Sequence, residues 1–331
     1  MAAVSRRLIP PTAAATVLAL ALAGCGEQAA PPHEGRPGGP YRMTLTTAPD
    51  PPAPGSPAVL TMRLRHAADG RPVTGLQVVH ERVVHNFIVA LDFTSFAHVH
   101  HEDHVALTAA DLAAATFSFP HTFPRAGHYR VVSEFTHRDR AWTKHFDLAV
   151  GDAPPAPAPR VDLARHKHFG DIEAGLLSSP ARPVAGFETE LVLELARDGH
   201  PLTDLELLLG SEVHVATWRL DGRHFGHAHT YTPHMAAMMA QMHDRGVDAA
   251  TRDARMRELM IEMIDMPAEL VFPGPRVPVR HVFPAPGIYA VFFHCAPAGV
   301  ARVFDFQLEV IAPGADADTH IESMVTPESH H

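Results

Sequence analysis

The feature that most constrains the fold of this chain is an internal duplication. Residues 70–100 match residues 199–229 without a gap, at an offset of 129. Residues 121–129 match residues 281–289 at an offset of 160, so the second copy carries an insertion of 31 residues. Repeats of this length are whole domains rather than the turns of a solenoid. The chain of 331 residues therefore predicts two homologous domains in tandem.

Each copy shows the pattern of an all-β domain. Short runs of β-branched or alternating apolar residues are separated by Pro, Gly and Asp, which is typical of strands and turns. The predicted strands are residues 60–65, 83–91, 115–119, 128–136 and 142–150, then 190–195, 213–220, 277–283, 288–295 and 301–310. About seven short strands in about 100 residues indicate a sandwich. We predict two tandem immunoglobulin- or cupredoxin-like β-sandwiches, the second with a Met-rich helical insertion.

The first residues of the chain have the pattern of a secretory signal. A basic start at Arg6 and Arg7 is followed by an apolar stretch too short to span a membrane. Residues 22–25 (LAGC) resemble the lipobox of bacterial lipoproteins. The resemblance implies that Cys25 becomes the lipidated first residue, and Gly26 after it implies the outer membrane. An ordinary secretory signal with an incidental cysteine is the alternative.

Composition then sets the domain boundaries. Stretches rich in Pro, Gly and Ala read as linkers. We predict a signal peptide at 1–24, a lipid-anchored linker at 25–57, sandwich 1 at 58–150, a Pro-rich linker at 151–160, sandwich 2 at 161–312 with its insertion at about 231–267, and a disordered tail at 313–331. The net charge of −10 disfavours a nucleic-acid partner.

Histidine is unusually abundant, at 26 of 331 residues, and the duplication keeps it at four matched positions. Chance would produce about one such coincidence, so the matches call for a structural or chemical cause. The matched pairs are His85 with His214, His98 with His227, His100 with His229, and His121 with His281.

The spacing of three of these pairs is that of metal ligands. Residues i and i+2 of a strand point to the same face, so His98 and His100 project together, as do His227 and His229. His85 and His214 lie 13 residues before His98 and His227, on the preceding strand of the same predicted hairpin. Three neutral imidazoles suit copper or zinc. For a fourth ligand two pairs remain open, His121 with His281 and Glu134 with His294.

The insertion adds a second candidate site. Its Met and His residues recur at helical spacing, which is more typical of packing than of binding. Methionine is nevertheless a soft ligand for Cu(I), and this favours copper over zinc. The candidate ligands are His234, Met235, Met238, Met239, Met242 and His243.

Several of these positions together resemble a family. The second copy combines residues 201–205 (PLTDL), Gly210, His214, Asp221, Phe225, His227, His229, Phe283, Pro284, Gly287 and Tyr289. This pattern resembles the periplasmic and secreted sandwich domains grouped around YtkA-like and FixH-like proteins, with some similarity to CopC-type copper proteins. The resemblance implies an immunoglobulin-like fold and a part in bacterial metal or copper handling.

We expect a lipid-anchored periplasmic protein that binds copper, or alternatively zinc, for buffering, resistance or delivery. Its partners would be metal ions, the membrane through Cys25, and a metal transporter or chaperone. A metalloenzyme with an open Cu or Zn site is a second hypothesis, although no convincing general base accompanies the ligands. A metal-independent envelope scaffold is the third.

Overall fold

The computed structural model describes residues 33–34, 39–230, 248, 250–251, 254–255 and 270–314. Sandwich 1 is built from β1 (His33–Glu34), β2 (Tyr41–Ala48), β3 (Pro57–His66), β4 (Leu76–Gln77), β5 (Val84–Ala90), β6 (Phe96–Val99), β7 (Thr116–Thr122), β8 (Gly127–His137) and β9 (Ala141–Val150), with a 3₁₀ turn at His101–Asp103 and helix α1 (Ala109–Ala114).

Sandwich 2 repeats these strands. Its elements are β10 (His166–Phe169), β11 (Ile172–Ser179), β12 (Glu188–Arg197), β13 (His200–Pro201), β14 (Leu205–Glu206), β15 (Val213–Arg219), β16 (Phe225–His229), β17 (Arg276–Val282), β18 (Gly287–Pro297) and β19 (Arg302–Val310). Strands β5 and β15 begin 129 residues apart, and β8 and β18 begin 160 apart, so the two sequence offsets are also offsets between strands.

Each sandwich consists of two antiparallel sheets. In sandwich 1 the sheet β1-β2-β3-β7 faces a sheet in which β8 pairs with β4, β5 and β9, and β5 pairs with β6. In sandwich 2 the sheet β10-β11-β12 also contains β13 and β17, and its partner sheet joins β14, β15, β16 and β19 around β18. Both copies also share a tyrosine corner, a hallmark of immunoglobulin-like sandwiches. The hydroxyl of Tyr129 donates to the carbonyl of Arg125 at 3.0 Å, and that of Tyr289 donates to Ala285 at 2.9 Å.

The predicted fold class is therefore confirmed as two tandem immunoglobulin-like β-sandwiches, whereas the Met-rich helical insertion lies almost entirely outside the described residues and stays a prediction. One predicted boundary is wrong, because the linker placed at 25–57 contains strand β2. Tyr41, Met43 and Leu45 alternate with more exposed residues and lie in the first core, where β2 pairs with β3. Proline-rich flanks hid this period-two pattern in the sequence.

Several predictions fall outside the described residues. These are the signal peptide, the lipidated Cys25, the tail beyond residue 314 and all the candidate ligands of the Met-rich insertion. They stay predictions. Within the part of the chain that the structure describes, no helix has the length and apolar character needed to span a bilayer.

A third apolar cluster lies between the sandwiches, which belong to one compact unit. All seven residues of β5 are buried, because its two faces pack against different partners. Val84, Ile88 and Ala90 enter the core of sandwich 1. The opposite face enters the shared cluster of Phe87, Val89, Phe93, Val132, Ala216, Trp218, Ala290 and Phe292. The sheets around β5 and β15 therefore pack against each other, and we call this contact the inter-sandwich interface.

Candidate metal centre

The β5–β6 hairpin brings the first three predicted ligands together. Its antiparallel register pairs Phe87 with His98 and Asn86 with Val99, so His85 and His100 are the next facing pair. An Asx turn closes the hairpin, with the backbone N–H of Thr94 donating to Asp92. Alternation then directs His85, His98 and His100 to one face. We call these three residues the first triad.

The three ring nitrogens of the first triad converge closely. The distance from His100 Nε2 to His85 Nδ1 is 3.0 Å, and that from His100 Nε2 to His98 Nε2 is also 3.0 Å. His85 Nδ1 lies 3.3 Å from His98 Nε2. Nitrogen ligands around a tetrahedral zinc stand about 3.3 Å apart, given bonds of about 2.0 Å. The triad thus has the spacing of a metal-ligand set.

Hydrogen bonds outside the triad fix which nitrogens face inward without a proton. His85 donates from Nε2 to the carbonyl of Val79 at 3.0 Å, and His100 donates from Nδ1 to Asp103 at 2.8 Å. In the neutral rings, His85 Nδ1 and His100 Nε2 therefore both carry lone pairs. Two lone pairs only 3.0 Å apart need a shared cation or proton between them.

The second triad consists of His214, His227 and His229 on β15 and β16. The register pairs His214 with His229 and Ala216 with His227. One nitrogen of each ring lies within 4.8 Å of the others. Within the described residues, His214 Nδ1, His227 Nε2 and His229 Nε2 are buried without a hydrogen-bond partner. Buried polar atoms without partners are costly, so this donor set is suited to a ligand.

The outward contacts of the second triad partly repeat those of the first. His214 donates from Nε2 to the carbonyl of Leu208 at 2.7 Å, as His85 does to Val79. His227 donates from Nδ1 to Glu134 of sandwich 1 at 2.8 Å. Such outer hydrogen bonds orient a ligating imidazole and increase its basicity.

The predicted fourth ligands lie in different places from those expected. Glu134 is paired with His85 across β5 and β8, but its carboxylate accepts a hydrogen bond from His227 on the other side of the inter-sandwich interface. His294 lies at the matching position of sandwich 2, and its ring centroid is 5.7 Å from that of His98 in sandwich 1. The sequence comparison treated each copy alone and could not indicate this exchange.

His121 and His281 are not brought into the triads. Each ring packs edge-on against a phenylalanine two residues later, with centroids 4.6 Å apart, at Phe123 and Phe283. The His281 ring also lies 3.2 Å from the hydroxyl of Thr217. This shared aromatic packing is a structural reason for a histidine at the matched positions 121 and 281. Cys295 belongs to the apolar core of sandwich 2, and burial raises the pKa of its thiol to about 12.

Sequence reasoning missed two residues at the centre. Asp103, in the 3₁₀ turn, accepts a hydrogen bond from His100. His80 packs against His229 across the interface, with ring centroids 3.8 Å apart and the rings tilted by 33°. The duplication offered no signal for His80, because the second copy has Leu209 at the matching position.

Burial keeps most of these imidazoles uncharged. It lowers the pKa of His85, His98, His214 and His229 well below the usual 6.5, and neighbouring imidazoles lower it further by repelling a second positive charge. The same two causes lower the pKa of His80 to about 3. At neutral pH these rings are unprotonated, which is the form that binds a metal.

Metal-free protein should lose stability as the pH falls below 6.5. Burial first, then a neighbouring histidine, lowers the pKa of His121 and His281 to about 4, so the unfolded chain binds protons that the folded chain does not. Stability is then fully present above pH 6.5 and declines toward pH 4, by up to about 1.4 kcal/mol per pH unit for each such histidine. Urea unfolding at a series of pH values measures this slope. His281→Gln should reduce it, and an unchanged slope in that variant would contradict the assignment.

Comparisons with known proteins give a family and weak structural likenesses. One similar solved structure is invasin, described as a bacterial integrin-binding protein, with 12% identity and a TM-score of 0.22 over 82% of this chain and 39% of that chain. The Escherichia coli adhesin FdeC has 13% identity and a TM-score of 0.21 over 81% of this chain and 64% of that chain. The Yersinia pseudotuberculosis adhesin InvE has 12% identity and a TM-score of 0.20 over 80% of this chain and 58% of that chain. This chain thus spans less than two thirds of the length of each.

No curated protein matches the chain. The expected similarity to YtkA-like, FixH-like and CopC-type domains stays a prediction. A family model described as "Domain of unknown function (DUF8832)" matches residues 37–152 and 171–312, one segment for each sandwich. The chain therefore belongs to the DUF8832 family and carries two copies of its domain.

Proposed function

We propose that this protein binds two transition-metal ions, one at each histidine triad. The observation that carries the proposal is the convergence of three inward ring nitrogens at 3.0–3.3 Å in the first triad. External acceptors on His85 and His100 hold both tautomers so that their lone pairs face inward. A positively charged ion relieves the resulting repulsion and uses all three nitrogens.

The donor set selects the kind of ion. Imidazole nitrogen suits copper and zinc, whereas calcium and magnesium require oxygen ligands. We infer copper, with zinc as the alternative, because the Met-rich insertion predicted from the sequence would add soft ligands for Cu(I). Both triads are formed by buried or half-buried side chains, which keeps competing water away from the ligands.

The proposed setting is the cell envelope. The lipobox-like segment ending at Cys25 would attach the chain to the outer membrane, facing the periplasm. There it would buffer the metal, protect against it or pass it to a transporter or chaperone. The geometry gives less support to a catalytic role, because the carboxylate of Glu134 is engaged in the hydrogen bond from His227.

Metal titration of the stripped protein tests the proposal. The full chain, titrated with Cu(II) and separately with Zn(II), should bind two equivalents as measured by elemental analysis after desalting. The double variant H98A/H100A should lose one equivalent, and H227A/H229A should lose the other. Binding free energies of about 10–16 kcal/mol for four-ligand zinc sites suggest that each lost ligand costs about 100-fold in affinity or more.

The chain offers a matched control. His166 and His168 have the same His-X-His spacing on strand β10, but both side chains are exposed and belong to neither triad. H166A/H168A should keep both equivalents. No stoichiometric binding by the wild type, or binding that survives both triad double variants, would refute the proposed function.

A further inference from the structure

The six triad imidazoles form one continuous cluster across the inter-sandwich interface. Within a triad the ring centroids lie between 4.2 and 5.9 Å apart. Across the interface, the ring centroid of His98 lies 5.2 Å from that of His214 and 5.7 Å from that of His227. The centroids of His85 and His227 are 5.6 Å apart. The centroid distances across the interface therefore fall within the range found inside the triads.

The contacts across the interface are reciprocal. Glu134 on β8 of sandwich 1 reaches His227 in the second triad, and His294 on β18 of sandwich 2 faces His98 in the first. Glu134 and His294 occupy matching positions, as do His98 and His227. This reciprocity is the property of an isologous contact, in which the same surface patch occurs on both partners. Each sandwich thus contributes a side chain beside the triad of the other.

We propose that the two triads form a single dinuclear metal centre shared by both sandwiches, and that Glu134 is a positioning residue for the metal of the opposite triad. This inference rests on the proposed function, since it assumes that the triads bind metal. It goes further in making the two sites interdependent. The outer partner of His227 in the second triad comes from sandwich 1, so sandwich 2 alone lacks it.

Charge makes the interdependence measurable. Two divalent ions held in adjacent triads repel each other, and in a buried site this repulsion is screened much less than in water. The second Cu(II) should therefore bind more weakly than the first. The carboxylate of Glu134 lies between the sandwiches on His227 and offsets part of that repulsion. Substitution of such an outer partner typically changes metal affinity by 10–100-fold.

Electron paramagnetic resonance of the copper-loaded full chain tests the shared centre. At two equivalents of Cu(II) we expect a magnetically coupled pair, seen as a broadened spectrum of reduced intensity with a half-field transition. The variants H98A/H100A and H227A/H229A, loaded with one equivalent, should each give the spectrum of an isolated Cu(II) at full intensity. A wild-type spectrum equal to the sum of these two isolated spectra would overturn the dinuclear centre.

The role of Glu134 has its own test. Glu134→Gln keeps an oxygen that accepts the His227 hydrogen bond but removes the charge, so the second Cu(II) should bind about 10–100-fold more weakly while total capacity stays at two. Asp147→Asn is the matched control, because Asp147 lies on β9 of the same sheet and pairs with Arg130 instead. If the second Cu(II) bound to Glu134→Gln with the same affinity as to the wild type, the positioning role would be refuted.

These outcomes separate the two proposals. If the wild type binds no stoichiometric metal, the proposed function fails and the inference fails with it. If it binds two equivalents whose spectra and affinities are independent, the proposed function stands and the shared centre is refuted.

Discussion

Saturating both triads with Cu(II) should raise the free energy of unfolding by about 8 kcal/mol when free metal is 1,000 times the dissociation constant of each site. A ligand that binds only the folded state contributes about 4 kcal/mol per site under that condition. The triads exist only in the folded chain, because their members come from different strands joined by register rather than from one contiguous segment.

Urea unfolding with and without metal measures this stabilisation. H98A/H100A and H227A/H229A should each keep about half of it, and a variant combining both should keep none. H166A/H168A should behave like the wild type. A stabilisation that remains in the combined variant would place the stabilising metal outside the triads.

Trp218→Ala should destabilise the metal-free protein by about 3–5 kcal/mol, the usual cost of deleting a buried large aromatic side chain. Trp218 is fully buried in the inter-sandwich interface, where its ring lies 4.9 Å from Phe225 and 6.0 Å from Phe96 of the other sandwich. The cavity would open between the two sheets that carry the triads. We therefore also expect weaker magnetic coupling between the two copper ions in this variant.

Trp218→Phe provides the control for that experiment. Within the described residues the Trp218 indole N–H is buried without a hydrogen-bond acceptor, so phenylalanine loses volume but no hydrogen bond. Its cost should be well below that of Trp218→Ala, because most of the buried volume is kept. If Trp218→Ala unfolded at the same urea concentration as the wild type, the inter-sandwich interface would contribute little to stability.

The strands and the triads were predictable because both follow from period-two alternation. The predicted strand at 213–220 is observed at Val213–Arg219, and the predicted strand at 142–150 at Ala141–Val150. The duplication then selected which of the 26 histidines to consider. His98 and His100 were placed correctly beside His85 because a strand leaves no other choice of face.

The inter-sandwich interface was not predictable by the same reasoning. A strand buried on both faces, such as β5, gives a nearly continuous apolar run with no alternation to separate its two partners. The exchange of Glu134 and His294 across the interface depends on how two whole domains pack, which no local pattern encodes. His80 was missed for a related reason, since a residue present in one copy only is invisible to a comparison of copies.

The covalent joining of the sandwiches through residues 151–165 has a consequence for symmetry. In a homodimer of one such domain, the two-fold axis would require identical side chains at both reciprocal positions. A single chain is free of that restriction, so a carboxylate at Glu134 can occupy one position while an imidazole at His294 occupies the other. Linkage thus allows a centre that is symmetric in its ligands and asymmetric in its charge.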